Sequence, residues 1–308
     1  MDALSLSRLR RGLASPNLFL REANRLYHRR GYTRSYNTAG VDIFAEDWDT
    51  LLVLDACRYD MFAEQSSLPG TLESRISRGS NTVEFLTGNF ADRSLLDTVY
   101  VTANPQLHSN RKRLDPELHA TVNVWQGEDW DDDRHTVMPE TMADRTLEAA
   151  ERFPNKRLIS HFIQPHYPFL ADDPVFDHEQ AFDTPEEVSC WQQVMTGSLS
   201  VDPGAVWAAY RETLDRALPA VEHLLSELDG KTVVTADHGN MIGERARPIP
   251  VREWGHPQGI YTEKLVRVPW LVHESGDRRK ITPDEPGQSE GTDPIENVSE
   301  RLKELGYR

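Results

Sequence analysis

The chain has 308 residues, 38% hydrophobic and 27% charged, with a formal net charge of −16. That length fits one large α/β domain or two small ones, and the charge excludes general nucleic-acid binding because most of this surface would repel a phosphate backbone. Two cysteines, Cys57 and Cys190, exclude a disulfide framework and a cysteine zinc cluster. Lys is rare beside Arg, and acids crowd the loops, as in Glu128–Asp133. This balance suits a halophilic protein, whose medium screens such self-repulsion, and suits an ordinary acidic cytoplasmic protein equally well. No segment approaches roughly 18 consecutive apolar residues, and no apolar stretch with a small-residue cleavage site follows the start, so a cytoplasmic protein is the expectation.

Residues 1–40 read as a basic arm ahead of a catalytic domain spanning 41–308. Arg8, Arg10, Arg11, Arg21, Arg25, Arg29, Arg30 and Arg34 are interleaved with Leu18, Phe19, Leu20, Leu26 and Tyr27, as on a short amphipathic helix. Such a helix could make peripheral contact with an anionic membrane or an acidic partner, or pack back onto the acidic domain. Next, Leu51–Leu54 is a short apolar run ending at Asp55 and suits a strand buried on both faces. Thr98–Thr102, Thr121–Trp125, Leu158–Ile163, Thr232–Ala236 and Val268–Val272 read likewise. Helical periodicity lies between them, around Met138–Phe153 and across Ala205–Leu228, where Leu214, Leu218, Val221, Leu225 and Leu228 recur at three and four residues. The alternation predicts an α/β fold with a largely parallel sheet covered by helices. The polar stretch Asp277–Pro294 reads as a surface loop before a final helix.

Two acidic clusters fall at predicted strand C-termini, where open α/β sheets place their sites: Asp55 with Arg58, and Asp237-His238-Gly239-Asn240. An Asp-His pair suits a divalent metal, and the following Gly lets the chain turn sharply away.

The run Ala236–Glu244 resembles the metal-binding stretch of sulfatases and related phosphatases. Gly255-His256, the tyrosine-containing segment Ile260–Glu263, Val268-Pro269 and the chain end Glu300–Tyr307 follow in the order those proteins show. From about Asp47 onward the chain thus resembles the alkaline phosphatase and sulfatase superfamily. The resemblance implies a three-layer α/β/α sandwich around a largely parallel, alkaline-phosphatase-like sheet. It implies Asp55, Asp237 and His238 as metal ligands, and His166 (in Pro165-His166-Tyr167-Pro168) and His256 as substrate contacts or ligands of a second metal. His161 is at least as well read as a core histidine, and His108, His119, His135 and His178 as surface histidines.

A nucleophile is expected some tens of residues after Asp55, at a helix N-terminus where free N–H groups and the dipole favour a phosphoryl oxygen. Arg78–Gly88 fits, with Thr82 favoured over Ser80; either hydroxyl could instead merely cap the helix. The Cys/Ser-x-Pro-x-Arg motif of true sulfatases is missing from the sequence. That departure favours a hydroxyl nucleophile of the kind used by phosphodiesterases, phosphoethanolamine transferases and lipoteichoic acid synthases. The implied activity is a metal-dependent hydrolase or transferase of phosphate esters, or of sulfate esters, through a covalent Thr/Ser intermediate. Zinc suits the Asp/His set, with manganese or magnesium as alternatives and one or two ions bound. The implied substrate is a small or lipid- or glycan-linked anionic ester. The alternative is a sulfatase-fold protein without catalysis that binds an anionic glycan or lipid headgroup.

Overall fold

Thr50–Leu54 (β1) is buried at every position, as a strand covered on both faces must be. The computed structural model in which it lies describes residues 16–172, 189–287 and 298–307. Arg8, Arg10, Arg11, His178 and part of the Asp277–Pro294 stretch lie outside those residues. In chain order, Pro16–His28 (α1) precedes β1. After it come Tyr59–Gln65 (α2), Thr71–Ile76 (β2), Thr82–Phe90 (α3), Ser94–Thr102 (β3), Gln106–Leu114 (α4) and Glu117–Asn123 (β4). A two-strand ribbon, Trp130–Asp131 (β5) and Thr136–Val137 (β6), leads to Pro139–Arg152 (α5) and Arg157–Phe162 (β7). Cys190–Thr196 (α6), Pro203–Glu227 (α7) and Gly230–Thr235 (β8) follow, then the hairpin Met241–Arg245 (β9) and Arg252–Gly255 (β10). Glu263–Val266 (α8), Arg267–Ser275 (β11) and Val298–Glu304 (α9) complete the order.

The seven-stranded sheet runs β2-β11-β8-β1-β7-β3-β4, and only β11 is antiparallel to its neighbours. Period-two alternation sends successive side chains to opposite layers. Leu52, Leu54, Val101, Leu158 and Val234 join Met142 of α5 and Leu214, Val221 and Leu225 of α7 in one core. Leu51, Val53, Tyr100, Ile159 and Val233 join Phe85, Leu86 and Phe90 of α3 and Leu107 of α4 in the other. Two cores on two faces make this a three-layer α/β/α sandwich, the expected fold class. All six predicted strands are present, with ends shifted by up to four residues, as are both long helices. The edge strand β2 was not predicted: it is largely exposed and carries no apolar run, and its pairing with β11 makes it a strand.

The α1 helix packs back onto the domain while keeping an open outer side. Arg21 forms a buried 2.6 Å ion pair with Glu253 of β10, and Asn24 exchanges two 2.8 Å hydrogen bonds with the backbone of Ile249.

Candidate active site

Register builds the centre of the site. In the sheet Val53 of β1 lies level with His161 of β7 and Thr235 of β8. Two residues further along, on the same face, come Asp55 and Asp237, so the two carboxylates stand side by side above the His161 ring on the α3 side of the sheet. All three residues are fully buried. Ala56 turns the chain away from Asp55 in the left-handed region (φ +62°), an unusual conformation for a residue with a Cβ. Its N–H donates to Asp237 Oδ1 at 3.0 Å, its carbonyl accepts from the Tyr210 hydroxyl, and so the strained turn is tied to both neighbouring elements. Gly239 is required for another reason than the expected sharp turn: a Cβ there would lie 2.1 Å from the Lys264 carbonyl oxygen of α8.

Three buried polar atoms at this point have no hydrogen-bond partner among the described residues: Asp55 Oδ1, Asp237 Oδ2 and His161 Nε2. Donor atoms of these residues lie within 4.8 Å of one another, a spacing that one metal ion can bridge. His238 Nε2 enters the same space, 3.4 Å from Asp55 Oδ1 and 3.3 Å from Asp237 Oδ2. Burial first, then each other's charge, pushes the Asp55 carboxyl well above the ordinary carboxylate range; burial likewise raises Asp237. Two such carboxylates without a cation are unfavourable. The imidazoles complement them. Burial lowers His161 and His238 to about 4, so both rings are neutral, as ligation requires. The Gly239 carbonyl, 2.8 Å from His238 Nδ1, fixes the proton there and leaves the Nε2 lone pair aimed at the acids. The Tyr100 hydroxyl, 2.6 Å from His161 Nδ1, holds that ring in place. The sequence trio Asp55, Asp237 and His238 is thus assembled, with His161 added to it.

Thr82 is the first residue of α3, and its Oγ1 is 3.4 Å from Asp55 Oδ2 and 3.3 Å from His238 Nε2. Neither candidate hydroxyl caps the helix; Asn81 does, its Oδ1 accepting from Glu84 N at 2.9 Å. The Ser80 hydroxyl is held on the other side, 2.8 Å from Glu84 Oε2, 3.0 Å from the Pro257 carbonyl and accepting from Gly259 N at 3.0 Å. Burial raises Glu84, which also accepts from the Tyr261 hydroxyl at 3.1 Å.

His166 and His256 meet through their Nε2 atoms at 2.8 Å, next to His238, whose ring centre is 4.8 Å from that of His256. His166 Nδ1 faces its neighbour's carbonyl at 2.5 Å and therefore carries a proton, so His256 Nε2–H donates to the bare His166 Nε2. Burial lowers His166 to about 3 and His256 well below its ordinary value. Two residues not singled out in the sequence complete the site. Asn104 Nδ2 and the Tyr307 hydroxyl each donate to Asp55 Oδ2 at 2.7 Å. Tyr307 also stacks on His166, centroids 4.8 Å apart and planes at 13°. Asn104, two residues past Thr102 and so level with Asp55 across β7, could have been found from register alone. Tyr307 lies in the chain-end segment that carries the resemblance, but nothing local aims it at Asp55. His108, His119 and His135 are half-buried, against Trp125, Phe153 and the Glu304 carboxylate.

A cleft of about 490 Å³ opens over Thr82, His256 and Tyr307, lined further by Gln106 and Asn110 of α4, Trp191 of α6, and Arg21 and Arg25 of α1. A larger groove of about 590 Å³ at the β2–β11 edge is lined by Glu46, Asp47, Glu73 and Glu274 and contains none of these residues. No protein-family model and no curated protein matches the chain. Solved phosphoethanolamine transferases and sulfatases are similar to it. The soluble domain of lipooligosaccharide phosphoethanolamine transferase A from Neisseria meningitidis is 13% identical, with 73% of this chain covering 76% of that one at a TM-score of 0.45. Against the integral membrane form of that transferase the figures are 13% identity and a TM-score of 0.44, and 75% of this chain spans 48% of the longer protein. A protein described as a putative sulfatase from Bacteroides thetaiotaomicron is 10% identical over 85% of this chain and 72% of its own, with a TM-score of 0.45. Among the described residues, no helix is long and apolar enough to cross a membrane.

Proposed function

We propose that this chain is a divalent-metal-dependent hydrolase or transferase of phosphate esters, with Thr82 as its nucleophile. The observation that carries the reading is the convergence of unpartnered Asp55 Oδ1, Asp237 Oδ2 and His161 Nε2, with His238 Nε2, beside a hydroxyl at a helix N-terminus. Two carboxylates and two neutral imidazoles fit zinc, and manganese or magnesium less well. Bound there, the cation would lower the threonine pKa and offset charge on the ester oxygens. Thr82 Oγ1 attacks phosphorus as the bond to the leaving oxygen breaks, with Asp55 Oδ2 at 3.4 Å as the nearest carboxylate to receive its proton. The free N–H groups of α3 face the same oxygens. His256 and His166 stand next to His238, placed to orient the ester, while Tyr307 holds Asp55 through its hydroxyl. Water or an acceptor alcohol then takes the group from Thr82. The size of the cleft and its Arg25 suit an anionic ester carried on a lipid or glycan.

The test is turnover of aryl phosphate, phosphodiester and sulfate esters by purified protein with zinc, manganese or magnesium. Thr82→Ala is expected to lose at least about 1000-fold in kcat while retaining metal, and Ser80→Ala to keep most of its activity. Unchanged turnover in Thr82→Ala, or metal bound with no ester cleaved, would overturn the assignment.

A further inference from the structure

The outer side of α1 has a composition found nowhere else on the described surface. Four of the five exposed large hydrophobic side chains lie on it or on the turn that follows: Phe19 (68% exposed), Leu26 (43%), Tyr27 (55%) and Tyr32 (49%). Phe19 and Leu26 are seven residues apart and share one helix face. The opposite face, Arg21, Asn24 and His28, is consumed in packing on Glu253, Ile249 and Arg247. Between Pro16 and Val41 the chain carries five arginines against one glutamate, on a protein whose net charge is −16. The charge therefore forbids an approach to an anionic surface by most of the molecule and permits one through this segment.

We propose that this outward face of α1 docks on an anionic lipid surface. A convex stripe of aromatic and aliphatic side chains flanked by arginines matches a bilayer interface, where rings sit at headgroup depth and guanidinium groups meet lipid phosphates. Arg30 and Arg29 already lie against the Tyr27 and Tyr32 rings, 5.8 and 5.6 Å from their centroids. Arg25, on the flank of the same helix, lines the catalytic cleft. Docking would thus hold the cleft mouth beside the lipid, a role that goes beyond the ester chemistry itself.

The experiment is co-sedimentation of the full chain with phosphatidylcholine vesicles made with and without phosphatidylglycerol. Binding is expected only with the anionic lipid. Phe19→Ser with Leu26→Ser, and separately Arg29→Gln with Arg30→Gln, should each weaken it about tenfold. Both variants should keep the wild-type unfolding temperature, which separates lost docking from lost fold. Binding is read without turnover, so its failure leaves the ester assignment standing. No sedimentation with anionic vesicles overturns the proposal. So does binding that the arginine substitutions abolish and the serine substitutions leave intact, which would show adsorption by charge alone without the apolar stripe entering the bilayer.

Discussion

The two oxygens of Asp55 have different tasks. Oδ2 accepts from Asn104 and Tyr307, both at 2.7 Å, and those bonds fix the carboxylate so that Oδ1 faces the unpartnered donors. Burial and the neighbouring Asp55 charge push the Tyr307 phenol far above its ordinary value, so it stays protonated and donates. Tyr307→Phe keeps the ring stacked on His166 and removes only the hydroxyl. We expect kcat to fall about 10- to 100-fold, the usual effect of losing a partner of a ligand, with metal content unchanged. Steady-state kinetics alongside metal analysis checks this, and a full loss of metal would assign Tyr307 to site assembly instead.

At the scale of elements, α1 is held by one buried ion pair beside its hydrogen bonds to Ile249 and Arg247. The Glu253 side chain is fully buried and that of Arg21 is 11% exposed. Breaking a buried pair from one side leaves an uncompensated charge. Glu253→Gln is therefore expected to weaken α1 attachment by about 3 kcal/mol, or about 100-fold in hydrogen-exchange protection of the α1 amides. The central strands should keep their protection, because the pair lies outside them, between α1 and the β9–β10 hairpin. Loss of protection throughout the sheet would show that α1 is integral to the cooperative unit.

For the whole molecule, the paired carboxylates make stability depend on pH and, on the proposed metal-binding reading, on metal. Their folded pKa values are raised above the ordinary 3.8. Raised groups add stability below the unfolded value, and that stability is lost as pH climbs through the folded values. The carboxylate contribution should accordingly fall as pH rises from about 4 towards neutrality. The buried imidazoles, with lowered values, add stability over the same window, and saturating metal should remove the carboxylate penalty. A hundredfold excess over Kd adds about 2.7 kcal/mol. Asp237→Asn should stabilise metal-free protein at neutral pH, because it removes one of two adjacent buried negative charges, and should abolish the response to metal. Thermal unfolding with zinc or chelator reads both effects.

Strand and helix periods are local, so the sequence by itself determined the alternating elements and the parallel core, and its motifs marked Asp55, Thr82, His166, Asp237, His238 and His256 as residues to bring together. The choice between Thr82 and Ser80 is open in sequence because both hydroxyls lie at the start of the same helix. The structure gives them different surroundings, Glu84 and Gly259 around Ser80 and Asp55 and His238 around Thr82, and the two alanine variants test the choice. His161 looked like core because it lies within an apolar strand; only its register opposite Val53 places it beneath the acids. Tyr307 reaches Asp55 across 252 residues of sequence. No local pattern encodes such a contact, because it exists only once the sheet has closed and the chain end has packed against it.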